Sequence, residues 1–280
     1  PPFYARSAGN APVYNGVMPF TDAPGFRMAY EVRGTGFPLL LINGLGSDRQ
    51  EWLRQVPAFE RRFRVIAFDN RGSGESGSPP GPYSTAGMAD DAAALLSFLE
   101  VERAHVLGVS LGGMIAQEFA LRHPERTERL VLVCTSPGGE ASVRPSPEAL
   151  AVFARAPGGD REAEIRRTIP FLYTARFRRE HPEEIEAFLA RRISSPFSPE
   201  GYAAQLSAAF GHSAGDRLRG IRTPTLVIAG TADLLVPPVN SERIAERIPG
   251  AKLVLLPDAP HRLFSENAEE FNHEVLTFLT

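Results

Sequence analysis

The sequence predicts an α/β protein built on a doubly wound, mostly parallel sheet, and three observations carry that expectation. Short apolar runs alternate with longer amphipathic segments from Phe26 to the end of the chain. Several of the runs (PLLLI, RVIAF, HVLGV, LVLVC, TLVIA) are apolar at nearly every position, as strands covered on both faces are. The stretch from Ser136 to Arg222 separates two such runs by far more than the roughly dozen residues a crossover needs, so it is an insertion.

In chain order, strands are expected at Phe26–Arg33, Pro38–Asn43, Phe63–Asp69, Ala104–Ser110, Arg129–Thr135, Thr225–Gly230 and Lys252–Leu256. Helices are expected at Met88–Leu99, at Leu111–Arg122 with its stop at His123-Pro124, at Asn240–Ile248 with its stop at Pro249-Gly250, and at Ala268–Leu279. The insertion reads as four more: Glu148–Ala156, Glu162–Arg179, Glu183–Ile193 and Pro199–Phe210. Residues 18–136 and 222–280 then form the core, and residues 137–221 a helical cap between two late core strands. The first seventeen residues, PPFYARSAGNAPVYNGV, precede a natural-looking start at Met18 and are expected to be an added or processed arm.

Composition excludes several classes of function. With 43% apolar and 22% charged residues the chain is globular, and at net charge −3 with scattered arginines it carries no footprint for nucleic acid. Cys134 stands alone, which excludes an internal disulfide and an all-cysteine metal site. The longest apolar run, Phe37 to Ile42, is far short of the ~20 residues of a membrane span, so a soluble, cytoplasmic protein is expected. Of the 30 basic residues only Lys252 is lysine, a skew that a GC-rich genome explains.

The chemistry starts at Gly108-Val109-Ser110-Leu111-Gly112, a G-x-S-x-G match at the junction of an expected strand and an expected helix. A nucleophile presented there sits on a turn so sharp that only glycines on either side leave room for it. The bland alternative is a strand-to-helix turn with an idle serine. A serine hydroxyl needs a base, and a histidine base needs a carboxylate to fix its tautomer. In open α/β sheets ligands bind at the carboxyl ends of the strands. Asp233 follows Thr225–Gly230 and His261 follows Lys252–Leu256, which puts both at that edge with Ser110.

The competing groups fit less well. His105 begins its strand at the opposite edge, His123 caps a helix end, His273 lies within a helix, and His181 and His212 belong to the insertion; most are expected to face solvent, with His212 alone able to approach a pocket. Asp69 and Asp258 precede turn-rich segments, where bonding to the backbone is the expected role. A tetrahedral intermediate also needs aimed N–H donors, and loss of one costs on the order of 3–4 kcal/mol in the barrier. The Leu111 N–H at the helix start and the Leu45 N–H in the loop Asn43-Gly44-Leu45-Gly46 are the candidates for this oxyanion hole.

The segments LLLINGLGSDRQEW, FDNRGSGES, GVSLGGMIAQEFA, GTADLLVP and PDAPHRLFSENAEEFN together resemble the α/β-hydrolase superfamily, in particular its carboxylesterase and 3-oxoadipate enol-lactonase branch with a small helical cap. The resemblance runs from about Phe26 to Phe278 and is weakest in the insertion. It implies Ser110 as nucleophile, Asp233 as acid, His261 as base, and Leu45 and Leu111 as oxyanion donors, with Asn43, Gly44, Trp52 and Val236 near the substrate. Asp69, Arg71 and Gly72 match the family's D-x-R-G turn, which is structural. The family has His-Gly where this chain has Asn43-Gly44, and Gly-His where it has Pro260-His261; neither change removes a catalytic group. Serine at position 110 argues against the branches with aspartate there.

The expected reaction is two-step acyl transfer on a small-to-medium apolar carboxylic ester at neutral to mildly alkaline pH, without metal or cofactor. Enol-lactone hydrolysis, C–C bond hydrolysis and cofactor-free perhydrolysis use the same triad, and a small-molecule receptor with a near-silent triad is the alternative outside catalysis. The aromatics of the insertion, from Phe153 to Phe210, are expected to form mainly its own core, with some facing a pocket. Its arginines (Arg144, Arg155, Arg166, Arg167, Arg176, Arg178, Arg179, Arg191 and Arg192) raise the question whether one of them turns inward to a substrate carboxylate.

Overall fold

A computed structural model describes residues 19–154 and 159–280. The N-terminal arm, Met18, Arg155 and the end of the first expected cap helix lie outside the described residues. Eight strands form one sheet: β1 (Phe20–Ala23), β2 (Phe26–Arg33), β3 (Phe37–Ile42), β4 (Phe63–Phe68), β5 (Ala104–Val109), β6 (Thr127–Val133), β7 (Thr225–Gly230) and β8 (Lys252–Leu256). Their order is β1-β2-β4-β3-β5-β6-β7-β8, antiparallel at β1/β2 and β2/β4 and parallel from β4 onward. Before β7 come the helices α1 (Val56–Phe59), α2 (Thr85–Phe98), α3 (Leu111–Arg122), α4 (Pro147–Phe153), α5 (Arg161–Leu172), α6 (Ala175–Glu180), α7 (Pro182–Ser194) and α8 (Pro199–Gly211). After β7 come α9 (Val239–Arg247), α10 (Leu263–Glu266) and α11 (Ala268–Leu279).

The continuous apolar runs are explained by burial on both faces. Alternate residues of β3 go to opposite sides: Leu40 and Ile42 join a cluster with Met88, Leu96, Ile115 and Phe119 from α2 and α3, while Leu39 and Leu41 join Trp52, Phe59 and Phe271 on the other face. Each such side chain contributes roughly 1.5–3 kcal/mol of transfer free energy, and both faces need it because helices cover both.

Two sequence expectations change. Phe20–Ala23, unrecognised because its four residues are half polar, pairs with β2 through Pro24-Gly25, where Gly25 takes φ 84°. The single helix expected over Glu162–Arg179 is two, because the Thr174 side chain accepts from Phe177 N and starts α6. Glu266 fixes that break, accepting from Thr174 N at 3.0 Å and from Thr174 Oγ1 at 2.6 Å.

Not all of the competing histidines face solvent: His105 is only 5% exposed, with its ring centroid 4.7 Å from that of Phe37 and 5.6 Å from that of Phe63. Burial pushes its pKa down to about 4, and His212, buried behind α3, is likewise pushed to about 4. Both imidazoles therefore stay neutral in the folded chain at pH values where the unfolded chain takes up protons, below its ordinary value of 6.5. Their contribution to stability is complete above that value and is lost as the pH falls toward about 4. The urea midpoint should decline through this window, with a shallower decline in His105→Phe; an unchanged slope in the variant would refute the assignment.

Candidate active site

At the end of β5 the chain turns into α3 with no loop residue to spare. Ser110 occupies the corner at φ 56° and ψ −120°, a strained conformation for a side chain with a Cβ. The corner is pinned on both sides: Ser110 N–H donates to Val133 O at 2.9 Å, and Ser110 O accepts from Thr135 Oγ1 at 2.7 Å. Glycine is obligatory around it because a Cβ on Gly108 would lie 2.1 Å from Gly112 O, and one on Gly112 would lie 2.1 Å from Ile42 O. The start of α3 is thereby pressed against β3 and β5.

That same closeness brings the β3 loop to the serine. A Cβ on Gly44 would stand 3.4 Å from Ser110 Cβ, so the Gly44-Leu45 backbone passes directly beside it. The Leu45 and Leu111 N–H groups donate to no described residue, and Leu111 holds the first-turn position where an amide has no intrahelical partner. The loop is held from behind. Asn43 Nδ2 donates to Phe68 O at 2.8 Å, and Asn43 O accepts from Asn70 Nδ2 at 3.0 Å. From the insertion, Gln205 Oε1 accepts from Gly46 N at 2.9 Å while its Nε2 donates to Arg71 O, and Arg192 donates to Gly46 O.

The acid and histidine loops are zipped together. Ala232 N donates to Ala259 O at 3.0 Å, Asp258 N donates to Thr231 Oγ1 at 2.8 Å, and a Cβ on Gly230 would lie 2.1 Å from Ala259 O. Within this frame Asp233 Oδ2 lies 2.7 Å from His261 Nδ1, and Oδ1 accepts from the N–H groups of Leu235 and Val236, both at 2.8 Å. With the carboxylate held, Nδ1 is the protonated nitrogen, which leaves Nε2 free to accept. Both side chains are buried. The Cys134 thiol lies behind them, pushed well up by burial and by Asp233 beside it. Cys134, Asp233 and His261 are the described residues whose ligand atoms cluster closely enough for a metal, within 4.8 Å, but the carboxylate and imidazole already satisfy each other.

Ser110, His261, Gly44, Leu45, Leu111 and Val236 all line one cavity of about 720 Å³. Ser110 and His261 make no direct hydrogen bond there, and bonds of this kind often tighten only with substrate. Two expected substrate-side residues do not reach the cavity. Trp52 is 1% exposed and packs against Phe264 in the core beneath the site, and Asn43 is fully buried as the brace of its loop. His212 does line the cavity, held by Thr85 Oγ1 at 3.0 Å from its Nδ1. From the insertion, Tyr173 and Phe177 join the insertion's own core, Phe153 and Phe188 belong both to that core and to the cavity wall, and Phe210 lines the cavity. Several insertion arginines are spent elsewhere: Arg166 on Glu162 and Glu186, Arg176 on Glu180, and Arg192 on Gly46. Sequence reasoning missed Gln205, Glu51 and Arg262 as members of the site, and only Arg262, adjacent to His261, carried any signal.

A strained serine at a strand-to-helix corner, two free backbone N–H groups and a buried acid–histidine pair thus come together along one edge of the α/β sheet. The chain belongs to the alpha/beta hydrolase fold family, whose model matches residues 38–268. It is 35% identical over 242 residues to the poly(3-hydroxyalkanoate) depolymerase of Ectopseudomonas oleovorans, covering 86% of this chain and 84% of that protein. The 3-oxoadipate enol-lactonase 2 of Acinetobacter baylyi is 32% identical over 238 residues, with 85% and 86% covered, and other relatives carry the name carbamate hydrolase. The crystal structure of the enol-lactonase from Burkholderia xenovorans superposes with a TM-score of 0.85 at 30% identity, covering 93% of this chain and 99% of that one. The protein is therefore a hydrolase. No helix of the described residues is long and apolar enough to cross a membrane.

Because the corner depends on backbone contact, Gly112→Ala should lower unfolding free energy by about 2–4 kcal/mol or prevent folding. Urea unfolding followed by circular dichroism measures this, and a stability within ~0.5 kcal/mol of the parent would show that the contact is relaxed at little cost.

Proposed function

We propose that the protein hydrolyses small-to-medium apolar carboxylic esters through an acyl-enzyme on Ser110, with residues 137–221 as a cap over the pocket. The observation that carries this reading is the 2.7 Å Asp233–His261 pair lining, through His261, the same largely apolar cavity as Ser110. His261 Nε2 takes the hydroxyl proton as Ser110 Oγ adds to the ester carbonyl carbon. The oxyanion forms against the N–H groups of Leu45 and Leu111, which need not reorganise as charge develops. Collapse expels the alcohol, which leaves with the proton from His261; a water, deprotonated by the same Nε2, then attacks the acyl carbonyl and Ser110 regains its proton. Asp233 holds the ring and stabilises the imidazolium without itself taking the proton.

The substrate class is supported by the apolar cavity wall and by relatives named poly(3-hydroxyalkanoate) depolymerase and enol-lactonase. Lactone hydrolysis is a second reading, favoured by the enol-lactonase fold neighbour. A p-nitrophenyl ester series from acetate to decanoate should show turnover by the parent protein, and Ser110→Ala should reduce kcat/KM by at least ~10³-fold. A stoichiometric burst without turnover would favour a receptor, and equal activity in Ser110→Ala would remove Ser110 from the mechanism.

A further inference from the structure

The cavity wall beside His261 holds a feature that ester cleavage does not call for. Arg262, the residue after the histidine, turns its guanidinium inward and is only 6% exposed. Its Nη2 lies 2.5 Å from Glu51 Oε2, and its Nε donates to Tyr173 Oη at 2.8 Å. The Phe188, Phe264 and Tyr173 rings surround it at 4.5–5.4 Å. Burial works against the Glu51 charge, yet Arg262, with Arg192 and Arg191 further off, holds its carboxyl below the usual range. An ion pair walled by aromatics is seldom retained for stability alone, since apolar residues of similar volume do as well or better.

The pair is incompletely satisfied in a particular way. Both residues line the cavity. Arg262 Nη1 donates to no described residue and Glu51 Oε1 accepts from none, and Glu51 Oε2, in close charge contact with Arg262, is buried without a well-directed hydrogen bond. Two residues of the wall thus keep an unused donor on Arg262 and an unused acceptor on Glu51, with the arginine's charge already matched by the glutamate. A carboxylate on the substrate would meet Glu51 as a like charge, and a ketone could use only the donor. A hydroxyl can accept from Arg262 and donate to Glu51 at once.

We infer that Glu51 and Arg262 form a specificity subsite for a hydroxyl group on the ester substrate, so that hydroxyacyl esters are the preferred class. The inference rests on the ester-hydrolase reading above and adds to it the chemistry of the substrate chain. It also answers the question raised by the insertion's arginines: the inward guanidinium comes from the histidine loop. Arg144, the insertion arginine at the cavity wall, is itself exposed.

The test compares kcat/KM for methyl hexanoate, its 3- and 5-hydroxy derivatives, the matching 3- and 5-oxo esters, and monomethyl adipate. The parent protein should favour a hydroxy ester at one position by about tenfold over methyl hexanoate, with the oxo ester between them and the adipate lowest. Glu51→Gln should cut the hydroxy preference and raise the adipate relative to methyl hexanoate, because Arg262 loses its counter-charge; a purely structural pair would not reorder the series. Arg262→Met should abolish both the hydroxy and the oxo preference. A parent protein indifferent to the hydroxyl at both positions, one that prefers the adipate, or a Glu51→Gln protein with the parent's ranking would overturn the inference, and the first two do not depend on a variant folding. Failure to cleave any ester of the series would instead overturn the ester reading itself.

Discussion

The close approach of backbone to backbone at Ser110 is the constraint on which the rest of the site depends. Helix α3 begins so near the ends of β3 and β5 that Gly108 and Gly112 are in contact through main-chain atoms alone, and a Cβ at Gly113 would strike the Thr135 side chain at 2.5 Å. Three consequences follow from that one packing choice. The serine is forced into positive φ, the Leu111 amide at the start of α3 is left unpaired, and the β3 loop is drawn alongside so that the Leu45 amide joins it. Ser110 and the Leu45 and Leu111 amides are thus positioned by the same contact rather than by separate devices.

The acid and histidine sit further along the sheet edge, and a second backbone contact couples them. Gly230 against Ala259 does for β7 and β8 what Gly112 against Ile42 does for α3 and β3. Asp233 is then oriented by two backbone N–H groups, which leave one oxygen for His261. Rigid strand ends carry the positions and short loops carry the side chains, a division that keeps the geometry within the tolerance that proton transfer needs.

How much of this the sequence discloses depends on whether the signal is local. The parallel sheet is legible because burial on both faces leaves runs such as HVLGV, and the serine corner is legible because its glycines lie within five residues. Asp233 and His261 are legible because each follows its own strand, so position along the sheet edge stands in for distance. Trp52 is misread because a large apolar side chain near the site can face the core as easily as the cavity, and nothing local distinguishes the two. Glu51 and Gln205 are invisible for a related reason: Gln205 reaches a loop some 159 positions away, and no periodicity encodes such a partner.

The insertion is where these two kinds of information meet. Its helices bury a small core of their own around Ile165, Ile169, Ile185 and Leu189, which the sequence pattern announces. Its coupling to the rest of the fold is partly apolar, through Ala208, Ala214, Leu218 and Ile221 in the main core, and partly polar and specific: Gln205 and Arg192 on the β3 loop, Thr174 on Glu266, and Tyr173 on Arg262. Polar contacts of this kind add little net stability apiece, but each is costly to leave half made, so they fix where the insertion sits rather than how firmly it folds. Three of them end on the β3 loop or on the residue beside His261, so the insertion is tied to both sides of the cavity that Ser110 lines. The insertion's share of the cavity wall and the loops beside Ser110 and His261 are therefore held in register by the same contacts.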